Sequence, residues 1–553
     1  MFKNQPKGLY ILSLANTGER FGYFTVISVF LLYLQAKFGF NESWSGQIYA
    51  IFMAIVYFTP ILGGIVADRW SFSKCVTVGM IIMGIGYQVV AFPTDLRSNF
   101  ALVTLIAGLA LVCIGTGLFK SNFQVMIGDL YNDPKHAGQR DAAFSIYYMA
   151  INIGAMFSPA MATFVTNKAL SAQGFIYNNQ LPSLCNSYLD GNLATASQIS
   201  EIATGSGMVV GESVEAFCQN YLSALATGYG YSFAVAFLSI VVSFLIYYLG
   251  RGTYQHIITT KKAATKVSAT ADASADYELT PAQTRERIVA LFLVFAVVTF
   301  FWMVFMQNGA TLTQFAVSCT APEADSWPRI GFNVWALAAI IIGIYAAFNA
   351  FQAKSKASRT ISAILVVAAC SYLGYIFYTT PDPLPGIQPQ DYQQFNGFYI
   401  VALTPFSLAF FGWLAKHKKE PSAPRKIGYG MITAALAYVV MIIGSLGIVG
   451  TTAAVSSNWL ITTYLLLTVA ELLLSPMGIS FVSKVAPPKY KGMMMGCWFG
   501  ATAIGNYLVS IPMLLWGKIP VWAVWGILAG LSALSAIVIF AIMKRLEAAT
   551  ADA

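Results

Sequence analysis

The sequence predicts an all-α polytopic membrane protein, and three observations carry that reading. Of 553 residues, 57% are hydrophobic and only 10% charged, and the mean hydropathy is +0.65, far outside the range of soluble domains. The apolar residues come in continuous runs of about 20 or more, the length a helix needs to cross a bilayer, without the alternation of a membrane barrel. The charges, finally, sort by side.

Spans are expected near 9–34, 44–67, 75–94, 100–127, 141–166, 227–249, 287–308, 331–352, 359–378, 394–416, 427–449, 457–482, 492–516 and 519–543. With the N-terminus inside, the outer loops hold only Lys37, Arg97, Lys168, Arg329 and Lys518 of the 32 Lys and Arg residues. Arg20 and Lys120 fall within the membrane, and all the others collect on the cytoplasmic side. That asymmetry is the positive-inside rule, and it puts both termini in the cytoplasm. The net charge of +9 is therefore no sign of nucleic-acid binding. No cleavable signal peptide is evident, because the first span is longer than a signal's apolar region and lacks a small-residue cleavage site.

The first span carries Glu19 and Arg20 side by side near its middle. A charge at that depth costs at least roughly 2.5 kcal/mol and is normally kept for function. Asn16, Glu19, Arg20, Tyr23 and Ile27 fall on one helical face, which must look inward. That face reads either as a structural ion pair joining helices or as a substrate or ion site. With Lys120 and Glu471, Glu19 and Arg20 make the short list of charges at membrane depth.

The second span closes in Gly63-Gly64-Ile65-Val66-Ala67-Asp68-Arg69, with Lys74 just beyond. This run resembles the loop motif of the major facilitator superfamily, in which glycines permit close helix packing and the Asp serves the cytoplasmic gate. In span four, Gly115-Thr116-Gly117-Leu118-Phe119-Lys120 combines small packing residues with a lysine. The apolar run continues to Ile127, so Lys120 is expected to point into the bundle rather than to snorkel.

Span five reads Tyr148-Met149-Ala150-Ile151-Asn152-Ile153-Gly154. Together with Glu19-Arg20-Phe21-Gly22-Tyr23 and Gly117-Leu118-Phe119-Lys120, this Tyr-x-x-x-Asn-x-Gly run resembles the proton-dependent oligopeptide transporter family. The resemblance covers about 440 residues, all but the outer loop, linker, hairpin and tails. It implies the major facilitator fold, two six-helix bundles, here plus an inserted two-helix hairpin, about fourteen transmembrane helices in all. The N-terminal bundle would take residues 1–249, with a long outer loop at 167–226. Residues 250–286 would form a cytoplasmic linker, rich in Lys, Ala, Thr and Ser. The C-terminal bundle would take 287–553, with the hairpin at 331–378. Many bacterial members carry two extra helices in the linker; this chain does not.

The core is expected to resume at Phe395-Asn396-Gly397-Phe398, which resembles the family's start of helix eight, and Phe332-Asn333 is a rival for that role. Core helix ten carries Glu471 and then Pro476, which removes the backbone bond to the Leu472 carbonyl and suits a gate. Core helix eleven carries Trp498.

The family resemblance implies import of di- and tripeptides across a bacterial inner membrane by alternating access. Opposite charges in the two halves suit a zwitterion, with Arg20 and Lys120 for its carboxylate and Glu471 for its ammonium. Asn152 and Asn396 can serve the peptide amide, while Tyr23, Tyr57, Tyr148 and Trp498 can form walls. Asp68 and Pro476 are the gating candidates. The family's first helix has a Glu at the place of Asn16 and often an Arg at that of Ile27; its helix-seven Glu stands at the place of Met306. Any proton coupling is therefore expected to run through Glu19, held between Arg20 and Lys120. An uncoupled or differently coupled family member carrying another small organic or inorganic anion is the alternative, and Glu471 argues against an anion lacking an amine.

Seven cysteines show no metal spacing. Cys185 and Cys218 share the outer loop, where a disulfide is expected, with Cys319 a competing partner. His136, His256 and His417 all fall in cytoplasmic loops and no carboxylate pair is visible, so no enzymatic activity, cofactor or metal is expected.

Overall fold

The structure, a computed structural model, describes residues 5–131, 140–211, 213–254, 280–353, 355–450, 453–487 and 491–551. Fourteen helical segments among them are long and apolar enough to cross a membrane, the number expected from sequence. The first bundle comprises α1 (Lys7–Phe38), α2 (Glu42–Arg69), α3 (Phe72–Ala91), α4 (Asn99–Asp129), α5 (Arg140–Ser171) and α8 (Val214–Leu249). Gly39, at φ 68°, ends α1 in the left-handed conformation that a glycine takes freely.

Glycines set how tightly this bundle packs. A Cβ on Gly63 of α2 would lie 2.0 Å from the Gly117 carbonyl oxygen of α4, and one on Gly79 of α3 would lie 2.8 Å from the Gly115 carbonyl oxygen. Only backbones without side chains can approach that closely in a membrane. Gly154 fits the same rule against α1, where its Cβ would sit 2.7 Å from the Thr17 carbonyl oxygen. Thr17 Oγ1 donates to the Ala150 carbonyl at 3.1 Å and Ser158 Oγ to the Phe21 carbonyl at 2.8 Å, which fixes α1 against α5. The charged face of α1 is thereby held opposite the Tyr-x-x-x-Asn-x-Gly run.

The segment expected to be an outer loop at 167–226 is largely helical. It holds α6 (Leu181–Leu189) and α7 (Ala196–Gly205), and α8 begins at Val214, well before the apolar run. Ser213 caps α8 by accepting from the Ala216 amide at 3.3 Å, which starts the helix in polar sequence.

The second bundle begins with α9 (Pro281–Phe305), opened by a Thr280–Gln283 capping box. A 3-10 turn over Met306–Gly309 and the short α10 (Thr311–Ser318) carry span seven beyond its expected end. Then come α11 (Val334–Gln352) and α12 (Lys356–Thr379), the inserted hairpin. They pack on each other, with Asn349 Nδ2 donating to Ser358 Oγ at 3.1 Å and Ser362 Oγ at 2.8 Å, and α11 leans on the next span. The bundle resumes with α13 (Gln394–Lys416), α14 (Ala423–Ser445), α15 (Asn458–Val485), α16 (Lys491–Leu508) with the short α17 (Ser510–Leu515), and α18 (Val521–Ala541). A final helix, α19 (Met543–Ala551), is tied to α14 by an Arg425–Glu547 ion pair of 2.7 Å. The only strands among the described residues are two-residue β1 (Glu323–Ala324) and β2 (Leu384–Pro385), paired antiparallel beside the hairpin.

The halves meet along α2 against α16 and α17, and along α5 against α13. A Cβ on Gly397 of α13 would lie 2.9 Å from the Asn152 carbonyl oxygen of α5, so this crossing too needs a bare backbone.

Candidate functional site at the seam of the two halves

On the N-terminal side, Glu19 is fully buried and Arg20 is 6% exposed. Arg20 Nε and a terminal guanidinium nitrogen donate to the two Glu19 carboxylate oxygens, so the neighbours form a bidentate pair within one helix. The pair does not join two helices, as the structural reading of α1 had it. The Arg20 guanidinium also lies over the Tyr23 ring, 4.6 Å from its centroid. Tyr23 Oη is turned away to Met53 Sδ at 3.4 Å.

Lys120 is arranged differently from expectation. Its Nζ sits 3.5 Å above the Tyr57 ring, a cation–π contact, and no carboxylate among the described residues lies within 4 Å of it. Glu19 is thus paired by Arg20 alone and not held between two cations. Lys120 remains within electrostatic reach of both.

On the C-terminal side, Glu471 of α15 is 7% exposed and has no cation partner among the described residues. Its Oε1 accepts from Tyr148 Oη of α5 at 2.8 Å, and its Oε2 from Asn396 Nδ2 of α13 at 3.1 Å. Asn396 also reaches Thr468 Oγ1 at 3.1 Å. Asn396 thus faces the buried carboxylate, whereas the rival Asn333 caps α11, accepting from the Trp335 amide at 3.0 Å. Tyr148 crosses the seam to touch the carboxylate of the other half. A buried anion with two neutral donors and no cation is a receptive partner for an ammonium.

Two expected substrate contacts, the amide partner Asn152 and the wall residue Trp498, are occupied elsewhere. Asn152 Nδ2 bonds back to the Tyr148 carbonyl at 2.9 Å. Trp498, 3% exposed, covers Gly478, where a Cβ would lie 2.0 Å from the ring, and meets Phe295 edge-on at 6.3 Å. The side chains of the gating candidates Asp68 and Pro476 lie outside the described residues. Ile27 and Met306 are both buried in the apolar core.

At the end opposite the termini the halves are latched by neutral and singly charged groups. Gln35 Nε2 donates to Gln314 Oε1 at 2.9 Å, Gln393 Nε2 to the Ser28 carbonyl at 3.1 Å, and Asn179 Nδ2 to the Val317 carbonyl at 3.1 Å. Gln388 Nε2 donates to Asn167 Oδ1 and Thr163 Oγ1 to Asp391. At this end no ion pair joins the halves among the described residues. Asp391, 9% exposed, was missed from sequence, where Gln388-Pro389-Gln390-Asp391 reads as loop. Cys185 of α6 and Cys218 of α8 are both buried, with free thiols that hydrogen-bond each other, so the expected disulfide is not formed in this structure. That bond, and then burial, push the Cys185 thiol upward from its ordinary value.

Two six-helix bundles meeting around a charged seam define a transporter of the major facilitator class. The sequence model of the POT family matches residues 73–276 and 384–522, so the chain belongs to the POT family. The unmatched stretch between them contains the hairpin. The uncharacterized transporter YclF of Bacillus subtilis is 25% identical over 540 residues, covering 94% of this chain and 90% of that protein. Dipeptide and tripeptide permease A of Escherichia coli is 24% identical over 532 residues, covering 92% and 84%. A crystal structure of peptide transporter POT in complex with alafosfalin superposes with a TM-score of 0.67 at 20% identity, covering 99% of this chain and 96% of that one. A POT family transporter in complex with 5-aminolevulinic acid gives 0.65 at 19% identity, covering 99% and 98%.

Proposed function

We propose that this protein imports di- and tripeptides by alternating access, with both termini in the cytoplasm of a bacterial cell and the latched end facing outward. The observation that carries the reading is Glu471, a buried carboxylate at the seam held by one donor from each half. A peptide ammonium placed there bonds a C-terminal-half anion and lies beside Tyr148 of the other half. The peptide carboxylate then falls to the cations of the N-terminal half, Arg20 and Lys120. The names of the permease relatives point to the same substrates. The positive-inside asymmetry supports the orientation.

Arriving at Arg20, the substrate carboxylate competes with Glu19 for the guanidinium. Released from its bidentate partner, Glu19 takes up a proton, because an unpaired buried carboxylate is costly. Proton coupling through Glu19 follows from that exchange. With Asn16 and Met306 at two places where the family has a Glu, uncoupled transport is the alternative.

Uptake of labelled dialanine into proteoliposomes tests both. Accumulation should need an inward proton gradient in wild type and be lost in Glu19→Gln. Equilibration alone in wild type would show a facilitator, and Glu19→Gln that still concentrates dialanine would place the coupling elsewhere.

A further inference from the structure

Asp391 belongs to neither of the charged groups above. It sits in the 3-10 turn Pro389–Gln393 that leads into α13, where the turn packs against α5. One carboxylate oxygen accepts from Thr163 of the opposite half, the other from the Gln388 backbone amide at 2.9 Å. Among the described residues no cation pairs with it. It also lines an open cavity of about 530 Å³, shared with Thr163, Asn333 and Arg329, so it has a path to solvent.

The surrounding hydrogen bonds are short of one donor. Thr163 has a single hydroxyl hydrogen, which goes to Asp391. Gln390 Nε2 gives its two hydrogens to Thr163 Oγ1 at 3.0 Å and Gln388 Oε1 at 2.6 Å. Gln390 Oε1, fully buried, then has no donor at all. A buried acceptor without a donor is rare and asks for an explanation. One proton on the neighbouring Asp391 would add a donor to this cluster and remove a buried charge in the same step.

We infer that Asp391 is a proton-binding site that operates the latch between the halves: closing the end opposite the termini takes one proton onto its carboxylate, and opening that end returns it. The proton comes from the compartment that the cavity faces. Thr163 continues to donate to one oxygen of the protonated carboxyl. The site is separate from Glu19, and its proton returns to the side it came from. Acid on that side therefore biases the protein toward the closed latch without itself driving transport. The other titratable or charged groups facing the turn are Tyr177, Tyr229, Tyr392 and Tyr464, and Arg329 across the cavity. The phenols do not titrate at working pH, and Arg329 is held by Asp382 at 3.0 Å.

The inference adds to the transport reading but does not need a substrate to be tested. The full-length protein in nanodiscs, without peptide, would carry fluorophores at positions 209 and 323, one on each half at the latched end. Uptake of one proton changes the closed-to-open ratio by up to about tenfold per pH unit. Wild type should close as pH falls and show an infrared band of a protonated carboxyl in the closed state. Asp391→Asn should flatten the response and remove that band. Thr163→Val, which removes a bond made only when the halves meet, weakens the closed state and should shift the transition to lower pH. A wild-type response retained in Asp391→Asn, an unmoved transition in Thr163→Val, or a closed state lacking the band would each overturn the site. Failure of dialanine uptake would instead strike the peptide reading and leave these measurements standing.

Discussion

Replacing Glu19 with Gln separates the buried pair most cleanly. Glu19 is fully buried and both its oxygens accept from Arg20, itself 6% exposed. The amide keeps the shape but leaves the guanidinium buried without its counter-charge. Breaking a buried pair from one side costs about 3–5 kcal/mol, whereas removing both partners is often close to neutral. The cation–π contact with Tyr23 offsets part of that, about 0.5–2 kcal/mol. Glu19→Gln should therefore lose about 2–4 kcal/mol, and Glu19→Gln with Arg20→Gln should recover most of it. Unfolding in detergent, followed by tryptophan fluorescence on both variants and on Arg20→Gln alone, gives the coupling between the two positions. A loss below about 1 kcal/mol in each single variant would mean that the pair is solvated and that the account of α1 is wrong.

Other consequences are as direct. Gly63→Ala places a methyl group 2.0 Å from the Gly117 carbonyl oxygen, so α2 and α4 must separate and the yield of folded protein should fall sharply, as size-exclusion profiles would show. Gln35→Ala and Gln314→Ala each remove one neutral bond of about 1 kcal/mol. Together they should raise the open population at the latched end about fivefold by the same fluorophore distance, and the second change should add little to the first. The Cys185 and Cys218 thiols should form a disulfide on mild oxidation, stabilising the outer segment by up to about 3 kcal/mol. Peptide mapping without reduction should find them linked, and two free thiols after oxidation would refute the pairing.

The spans were legible because each apolar run is long enough to settle its own fate, whatever packs beside it. The charged face of α1 and the buried Glu471 were legible for a related reason: a charge amid apolar residues has few places to go. Asn396 could be preferred to Asn333 from its neighbours, and it is Asn396 that bonds Glu471. What depends on tertiary placement was not legible. Lys120 and Glu19 are both at membrane depth, but the choice of Tyr57 over Glu19 as the lysine's partner is a matter of side-chain direction. Asp391 follows a polar, proline-containing run that carries every local signal of an exposed loop, and only the packing of that turn on α5 buries it. The helices at 181–205 and the early start of α8 escaped detection for a similar reason, since their polar faces hide short amphipathic helices in a Ser- and Asn-rich stretch.

The central claim is that Glu471 receives the substrate's ammonium. Binding of labelled dialanine to the purified protein, competed by unlabelled dialanine and by N-acetyl-dialanine, tests it directly. The acetylated peptide keeps the carboxylate and the amide but has no ammonium, so it should compete at least about 10-fold more weakly in wild type, the loss expected for one charge-assisted hydrogen bond. In Glu471→Gln, dialanine binding should weaken to the level of the acetylated peptide and the difference between the two should vanish. Equal competition by both peptides in wild type, or a preference for the free amine that survives in Glu471→Gln, would contradict the account.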